Sequence, residues 1–233
     1  MNDIIYLQEV LTGILNQRPP AVAPLKLFSI EGLPGAGKTT QIKLVSEELR
    51  KEYGEVCYID LPTQSPFGKI LRALYSNKAQ WDCLRRAVPW FNLVFLSADL
   101  QTAIDCALKK KSACALMSRG ILSTYYYNLD SWSDREEDAA WQFMEKYMNS
   151  FCLPTAIFFL EVTATEAHER VIKRNREPLR EMDRLEQMRR DYSKLLRYLS
   201  RFSEIPVHHI SGMESPAVVT QRILERIKLY LTS

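Results

Sequence analysis

A glycine-rich segment near the start of the chain has the residue types and the spacing of a phosphate-binding loop. It reads Gly32-Leu33-Pro34-Gly35-Ala36-Gly37-Lys38-Thr39 and fits the pattern GxxxxGK(S/T) at every defined position. An apolar run, LFSI, precedes it, and a stretch with helical spacing, TTQIKLVSEELR, follows it. Glycines let backbone N–H groups curl around phosphate oxygens, and the N-terminus of the helix adds its dipole. The segment therefore predicts that the chain binds a nucleoside triphosphate.

Two residues at the end of this loop have specific roles in the prediction. We expect the ammonium group of Lys38 to reach the β- and γ-phosphates, and the hydroxyl of Thr39 to bind Mg²⁺. The other residues expected to contact the nucleotide in and beside the loop are Gly32, Gly35, Ala36, Gly37 and Thr40.

The rest of the chain does not carry the motifs of two other classes of phosphate-loop protein. A GTPase needs an NKxD-type segment to read guanine, and the Asn-Lys pair of this chain, Asn77-Lys78, is followed by Ala and Gln. No segment resembles the LSGGQ signature of transporter ATPases. A short chain with a late Arg-rich segment is instead typical of a kinase that acts on small molecules.

The composition is that of an ordinary globular protein. The chain has 233 residues, of which 46% are hydrophobic and 25% charged, and its net charge is +3 from 31 basic and 28 acidic side chains. This balance does not suggest a nucleic-acid polymer as a partner, because no part of the chain is overwhelmingly basic. The clean apolar runs reach only about five residues, so we expect no membrane span.

The cysteines and the N-terminal residues indicate the cellular compartment in which we expect the protein. The five cysteines are scattered without a CxxC pair, and the chain has three histidines. A zinc site needs clustered Cys and His ligands, so we expect instead buried thiols in a reducing cytoplasm. The first residues, MNDIIYLQEV, carry no basic side chain and do not read as a secretory signal.

Alternating apolar runs and helical stretches predict an α/β fold. Strands are expected at 26–30, 56–60, 113–117, 155–162 and 206–210. Helical stretches are expected at 38–52, 66–75, 81–109, 121–150, 165–201 and 216–231. Strands that are apolar on both sides and separated by helices indicate a parallel sheet covered on both faces, a three-layer domain. We assign residues 25–233 to this domain and residues 1–24 to an N-terminal extension, a short helix with a Pro-rich linker.

Six sets of residues, in order along the chain, match the motifs of one kinase family. They are Ile30-Glu31-Gly32 with the loop; 62–68 (PTQSPFG) followed by Arg72; Ser97-Ala98-Asp99; Ser118-Arg119-Gly120 with Tyr127-Asn128; Pro154 with Phe159-Leu160-Glu161-Val162; and Arg170, Arg174 and Asp183-Arg184-Leu185-Glu186. With these segments the chain resembles the thymidylate kinase family over about residues 26–231. The resemblance implies a P-loop kinase fold with a five-stranded parallel sheet and an Arg-rich lid.

The resemblance also implies an activity and several contacts. The γ-phosphoryl group of Mg-ATP would pass to a small acceptor, a nucleoside monophosphate or a nucleoside. Arg119 would bridge the donor and acceptor phosphates, and Arg72 would grip the acceptor phosphate. Arg174 and Arg180 of the lid would close over ATP, since cations neutralise charge that spreads over phosphate oxygens. A homodimer through the long helices near 90–109 is also implied.

Four further residues are candidates for the acceptor site. Asp60, at the end of the second strand, is the candidate base for a hydroxyl acceptor, or else a carboxylate that makes a turn with Pro62. Asp99 lies in a matched motif and contacts either the acceptor or a neighbouring helix. Tyr127 also lies in a matched motif and is placed to stack on a flat acceptor. Phe67 walls the acceptor pocket or belongs to the core.

The chain departs from the family pattern at four positions. Pro34 stands where the family has the aspartate that meets the sugar hydroxyl, and Leu61 stands where it has a glutamate before proline. Leu100 replaces an acceptor-binding arginine, and Ser118 replaces the aspartate of the DRY motif. The donor side is intact, so we expect ATP binding to be retained and acceptor specificity to have changed. Two alternatives stay open: a kinase of a non-nucleotide metabolite in a specialised pathway, and a catalytically weakened nucleotide-binding protein.

Overall fold

Five parallel strands form the central sheet of the structure, a computed structural model that describes residues 25–88, 91–128, 152–174 and 182–232. The strands are β1 (Lys26–Gly32), β2 (Val56–Asp60), β3 (Cys114–Ser118), β4 (Ala156–Glu161) and β5 (Val207–Ser211). Their order across the sheet is β2-β3-β1-β4-β5. The predicted five-stranded parallel sheet is confirmed, and each strand lies within two residues of its predicted bounds.

Eight helices flank the sheet in the part of the chain that the structure describes. They are α1 (Lys38–Tyr53), α2 (Pro66–Ser76), α3 (Lys78–Ala87), α4 (Phe91–Lys109), α5 (Ile121–Asn128), α6 (Ala164–Ile172), α7 (Met182–Phe202) and α8 (Pro216–Thr232). Both faces of β1 are covered: the ring of Phe28 contacts Tyr230 of α8, and Glu31 bonds to Ser123 of α5. Residues 28 and 31 point to opposite faces of a strand. The three-layer α/β prediction is therefore confirmed.

The predicted helix over 81–109 is divided in two. α3 begins earlier, at Lys78, because the side chain of Asn77 accepts a hydrogen bond from the backbone N–H of Gln80 (3.2 Å) and caps the helix. α4 begins at Phe91, and residues 89–90 between the two helices lie outside the described residues.

Other predictions fall partly or wholly outside the described residues. The helical stretch predicted over 165–201 appears as α6 and α7, with 175–181 outside. Of the stretch predicted over 121–150, residues 121–128 are described. The N-terminal extension, residues 1–24, is outside as well, so the domain boundary stays a prediction.

One described helix, α4, is long and apolar enough to cross a membrane by length and composition alone. The short apolar runs in the sequence concealed it, because Asp99 and Asp105 interrupt the stretch. The helix packs against α2, β2 and β3, and its side chains Leu100 and Ile104 are buried in the core. Core helices pass the same test, so the finding is weak evidence for a span.

Candidate active site

The phosphate-binding loop runs from the end of β1 to the start of α1. Gly35 has a φ of +86°, and a Cβ built there would lie 2.3 Å from the backbone oxygen of Ala167. Only glycine combines that φ with so close an approach. The Nζ of Lys38 donates hydrogen bonds to the carbonyl oxygens of Gly32 (2.8 Å) and Leu33 (2.9 Å), so it lies along the loop.

A cavity of about 340 Å³ lies over this loop, and we call it the loop cavity. The predicted site residues that line it are Gly32, Gly35, Gly37, Lys38, Thr39, Asp60, Arg119 and Arg174. Ala36 and Thr40 line a neighbouring cavity of about 280 Å³, to which Arg174 also contributes. The structure thus brings together residues from the ends of three strands and from two helix ends that the sequence placed in one site.

A buried carboxylate lies behind the loop. Glu31 is fully buried and accepts hydrogen bonds from the backbone N–H of Leu122 (3.1 Å) and the hydroxyl of Ser123 (3.1 Å). Burial raises the pKa of Glu31 to about 7, against the opposing effect of these bonds and of the Lys38 ammonium. Burial likewise lowers the pKa of Lys38 to about 8, although Glu31 opposes that change. Glu31 therefore ties α5 to the loop, a role that sequence reasoning did not assign.

Glu31→Gln is expected to remove one contribution to the pH dependence of folding stability between about pH 4.5 and 7. In this interval the folded wild type retains a proton that the unfolded chain has released, so its free energy of unfolding falls as the pH rises. A full proton difference is worth about 1.4 kcal/mol for each pH unit, which gives a fall of about 3 kcal/mol across the interval. Urea unfolding at several pH values measures the slope.

The control for this prediction is Glu47→Gln, which changes an exposed carboxylate on α1. This variant is expected to keep the wild-type slope. A Glu31→Gln variant with the wild-type slope would show that Glu31 is not the group that retains the proton.

Arg119 follows β3 directly and has a φ of +61°, in the left-handed region that is costly for a residue with a side chain. Strain of this kind persists only where the surroundings hold the residue, and it is frequent at functional positions. The side chain is 55% exposed, and its Nε lies 3.9 Å from Oδ1 of Asp60. The guanidinium is therefore near a carboxylate but beyond hydrogen-bond distance from it.

A second cavity, of about 320 Å³, adjoins the loop cavity, and we call it the side cavity. Arg119 and Ser123 line both cavities. The other side-cavity residues are uncharged: Leu61, Pro62, Tyr75, Trp81, Asn92, Leu96 and Thr124. A guanidinium on the shared wall can bind phosphate groups from either side, because its five N–H donors form a planar fork.

Sequence reasoning missed the aromatic wall of the side cavity. The rings of Tyr75 and Trp81 meet edge to face with centroids 4.8 Å apart, and the Tyr75 hydroxyl donates to Oδ1 of Asn92. Three different helices supply these residues, so no local sequence motif contains all of them. The one sequence feature that could have indicated the site is Asn92, a polar residue inside an apolar stretch. Phe67, the predicted wall, packs edge to face on Phe95 with centroids 6.0 Å apart.

Asp99 is fully buried and holds the segment that follows β2. Its carboxylate accepts hydrogen bonds from the N–H (2.6 Å) and hydroxyl (2.5 Å) of Thr63 and from the hydroxyl of Ser65 (2.5 Å). Ser65 caps α2, and Arg72 of that helix donates back to the carbonyl oxygens of Pro62 and Thr63. Asp99 therefore fixes the segment beside Arg72, and direct contact of either residue with an acceptor stays a prediction.

Asp99→Ala is expected to lower the free energy of unfolding by about 3 kcal/mol, because three donors lose their charged acceptor. The KM for the phosphate acceptor should rise as well, since the segment beside Arg72 loses its anchor. Asp99→Asn keeps one carbonyl oxygen and should lose less in both measurements. Urea unfolding and steady-state kinetics report the two effects.

Asp105→Ala is the matched control, because Asp105 lies on the same helix at the surface, where it accepts from Gln101. It should behave as wild type. Wild-type unfolding and wild-type acceptor KM in Asp99→Ala would contradict an anchoring role for this carboxylate.

Two predicted contacts fall outside the described residues. Arg180 belongs to the segment 175–181, and the side chain of Tyr127, near the end of α5, is also outside. Both contacts stay predictions.

The residues of the loop cavity fit a bound Mg²⁺. This ion prefers oxygen ligands and keeps several of its waters. The hydroxyl of Thr39 and the carboxylate of Asp60 both line the cavity. Within the described ranges no cluster of three or more His, Cys, Asp or Glu side chains could hold a metal ion. A site of this kind suits an ion that is held largely by the phosphates of a nucleotide.

The four departures from the family pattern have different surroundings. Leu61 and Leu100 are buried, at 3% and 1% exposed, and Leu61 also lines the side cavity. Pro34 lines the loop cavity, and the hydroxyl of Ser118 donates to Asp60 (2.6 Å). Two charged positions of the family pattern are thus apolar packing positions in this chain.

Comparison with known proteins gives one family. The model of the thymidylate kinase family matches residues 30–210. A probable thymidylate kinase of Sulfurisphaera tokodaii is 30% identical over 200 residues, which cover 85% of this chain and 95% of that protein. The thymidylate kinase of Thermoanaerobacter sp. (strain X514) is 26% identical over 212 residues, covering 88% of this chain and 98% of that protein.

A solved structure gives the same answer for the fold. The crystal structure of thymidylate kinase from Ehrlichia chaffeensis has a TM-score of 0.55 and 17% identity to this chain, covering 87% of it and 98% of the other chain. At that identity the likeness concerns the fold, and it confirms the P-loop kinase architecture. The family match extends over most of the chain and includes the phosphate-binding loop, Arg119 and the segment anchored by Asp99. The chain therefore belongs to the thymidylate kinase family and is an ATP-dependent kinase.

Proposed function

We propose that the chain transfers the γ-phosphoryl group of ATP to a pyrimidine nucleoside monophosphate, with dTMP as the first candidate. The observation that carries this proposal is the position of Arg119 on the wall shared by the loop cavity and the side cavity. The triphosphate of ATP suits the loop cavity, which contains Lys38 and Thr39, and the acceptor suits the side cavity. The relatives named thymidylate kinase support dTMP as that acceptor.

The residues of the site bind and orient the two substrates. An oxygen of the acceptor monophosphate forms a bond to the γ-phosphorus, and the bond to the bridging oxygen of ADP breaks. Lys38 and Arg119 neutralise the charge on the transferred group and hold it in line with the acceptor. Thr39 would hold Mg²⁺ beside the phosphates, and the ion would supply further charge neutralisation when bound. Since a phosphate oxygen is already ionised, the reaction needs no general base, so Asp60 has another role.

The side cavity has the chemistry of a site for a nucleobase. The rings of Trp81 and Tyr75 offer aromatic surface, and Asn92 offers an amide beside them. Bases stack on aromatic rings and are read by amides. Leu61, where the family pattern has a glutamate, makes this cavity less polar, so other pyrimidine monophosphates are candidates beside dTMP.

The two alternatives left open by the sequence are not favoured by membership of the family. A non-nucleotide acceptor would have no evident use for the aromatic and amide surface of the side cavity. A protein without catalysis would have no evident use for a strained, half-exposed arginine between two cavities.

A homodimer through α4 is a further part of the proposal. Exposed apolar side chains on the neighbouring helix α2, Phe67 (38%) and Ile70 (46%), support it. Sedimentation at micromolar concentration should give twice the mass of one chain, and a monomer would contradict this part. A cytoplasmic location also stays a prediction.

The acceptor is tested by ADP release from Mg-ATP with dTMP, dUMP, CMP, UMP, AMP, GMP and the corresponding nucleosides. ADP release should respond to at least one pyrimidine monophosphate, and the nucleosides should give only the background rate. Background hydrolysis with every member of the panel would overturn the proposal. A response confined to nucleosides would move the acceptor group from a phosphate to a hydroxyl, and Asp60 would then be the candidate base.

A further inference from the structure

Asp60 and Ser118 form a pair across two neighbouring strands. They are register partners at the carboxyl ends of β2 and β3, so their side chains point to the same side of the sheet. The hydroxyl of Ser118, itself buried, donates a hydrogen bond of 2.6 Å to Oδ1 of Asp60. The hydroxyl of Tyr58 lies 3.4 Å from that of Ser118. A bond to a charged acceptor at this distance fixes the orientation of the carboxylate.

The carboxylate of Asp60 faces a cavity for phosphates. It lines the loop cavity together with Lys38 and Thr39 and is 44% exposed. Its contact with Arg119, at 3.9 Å, is too long for a hydrogen bond, so the ion pair between them is weak. A carboxylate beside a triphosphate is unfavourable, because like charges repel, unless a cation lies between them.

We propose that Asp60 holds the Mg²⁺ that accompanies ATP, and that Ser118 is a positioning residue that orients its carboxylate; the inference rests on the binding of Mg-ATP in the proposed function. Thr39, which lines the same cavity, supplies a second oxygen. Mg²⁺ binds one or two oxygen ligands from a protein when phosphates and waters supply its other ligands.

The family pattern has an aspartate at the position of Ser118. In this chain the carboxylate lies instead on the neighbouring strand, at the register partner of that position. The exchange keeps one negative charge at this edge of the sheet and avoids two adjacent carboxylates, which would repel each other.

Calorimetric titration with the β,γ-imido analogue of ATP, in Mg²⁺ and in EDTA, tests the inference without an acceptor and without turnover. Asp60→Asn should reduce the gain in affinity due to Mg²⁺ about tenfold. The affinity in EDTA should rise or stay level but not fall, because the variant loses a like charge beside the triphosphate. Ser118→Ala should reduce the gain by a smaller factor, since it removes only the orienting bond. Paramagnetic resonance of free Mn²⁺ with the same analogue gives a second, direct measure of metal affinity.

Glu161→Gln is the matched control. Glu161 is a carboxylate at the carboxyl end of another strand, paired with His209 (2.7 Å) and lining a different cavity. This variant should keep the wild-type gain in analogue affinity due to Mg²⁺.

The exchange of the two residues is the sharpest variant. The double variant Asp60→Ser with Ser118→Asp should recover most of the gain lost in Asp60→Asn, because the carboxylate moves to its register partner. An undiminished gain in Asp60→Asn, or an equal loss of affinity in Mg²⁺ and in EDTA, would overturn the inference. The titration needs no acceptor, so a negative result in the acceptor panel would overturn the proposed function alone.

Discussion

Arg119→Ala is expected to lower kcat about a thousandfold, a loss typical of an arginine that stabilises phosphoryl transfer. The guanidinium lies on the wall between the loop cavity and the side cavity, so it can contact both the transferred group and the acceptor phosphate. Such contacts strengthen as charge spreads over the oxygens in the transition state. Binding of the ATP analogue, which keeps its contacts with the loop, should weaken much less than kcat falls.

Two further variants define this prediction. Arg119→Lys keeps the charge and loses the planar fork, so its kcat should lie between those of the wild type and the alanine variant. Arg190→Ala removes an exposed arginine of α7 that donates to Gln187, and it should behave as wild type. Equal losses of kcat and of analogue affinity in Arg119→Ala would mean that the arginine serves binding alone. An unchanged turnover would restore the hypothesis of a protein without catalysis.

Lys38→Ala is expected to lower kcat/KM for ATP by roughly two to three orders of magnitude. The Nζ lies along the loop, bonded to two backbone carbonyl oxygens, and is placed to pair with phosphates that enter the cavity. Unlike Arg119→Ala, this change should weaken binding of the ATP analogue as well as kcat. Calorimetric titration and steady-state kinetics on the same preparation separate the two effects.

The structure suggests a matched control for Lys38→Ala and a second effect of this variant, on the pKa of Glu31. Lys43→Ala removes an exposed lysine one turn further along α1 and should leave both quantities unchanged. Loss of Lys38 also removes the cation that stabilises the charged form of Glu31, so the pKa of that buried carboxyl should rise further above 7. Wild-type kcat/KM in a folded Lys38→Ala variant would contradict the assignment of the loop cavity to ATP.

The arrangement of the phosphate-binding loop could be predicted from the sequence because it is local. One unbroken segment supplies the loop, Lys38 and Thr39, and the strand before it and the helix after it are short and regular. The position of Arg119 beside the loop could also be predicted, because ligands of α/β folds bind at the carboxyl ends of parallel strands. The five strands could be predicted as well, because each one is a short continuous apolar run.

The surroundings of the side cavity could not be predicted to the same depth because they are assembled from distant parts of the chain. The partners of Asp99 lie more than thirty residues before it, and its burial converts a polar residue of α4 into the anchor of a loop. Tyr75, Trp81 and Asn92 meet only because three helices pack together. The pairing of Asp60 with Ser118 depends on strand register, which the pattern of apolar runs does not fix across the sheet.

We propose that this chain moves a phosphoryl group from ATP in one cavity to a nucleoside monophosphate in the next. ³¹P NMR of the enzyme with Mg-ATP and the best acceptor of the panel tests it most directly, since it identifies every phosphorus-containing product. ADP and the nucleoside diphosphate of the acceptor should form in equal amounts, and both should form about a thousandfold more slowly when Arg119 is alanine. ADP accompanied by inorganic phosphate, at a rate that does not depend on the acceptor, would contradict it.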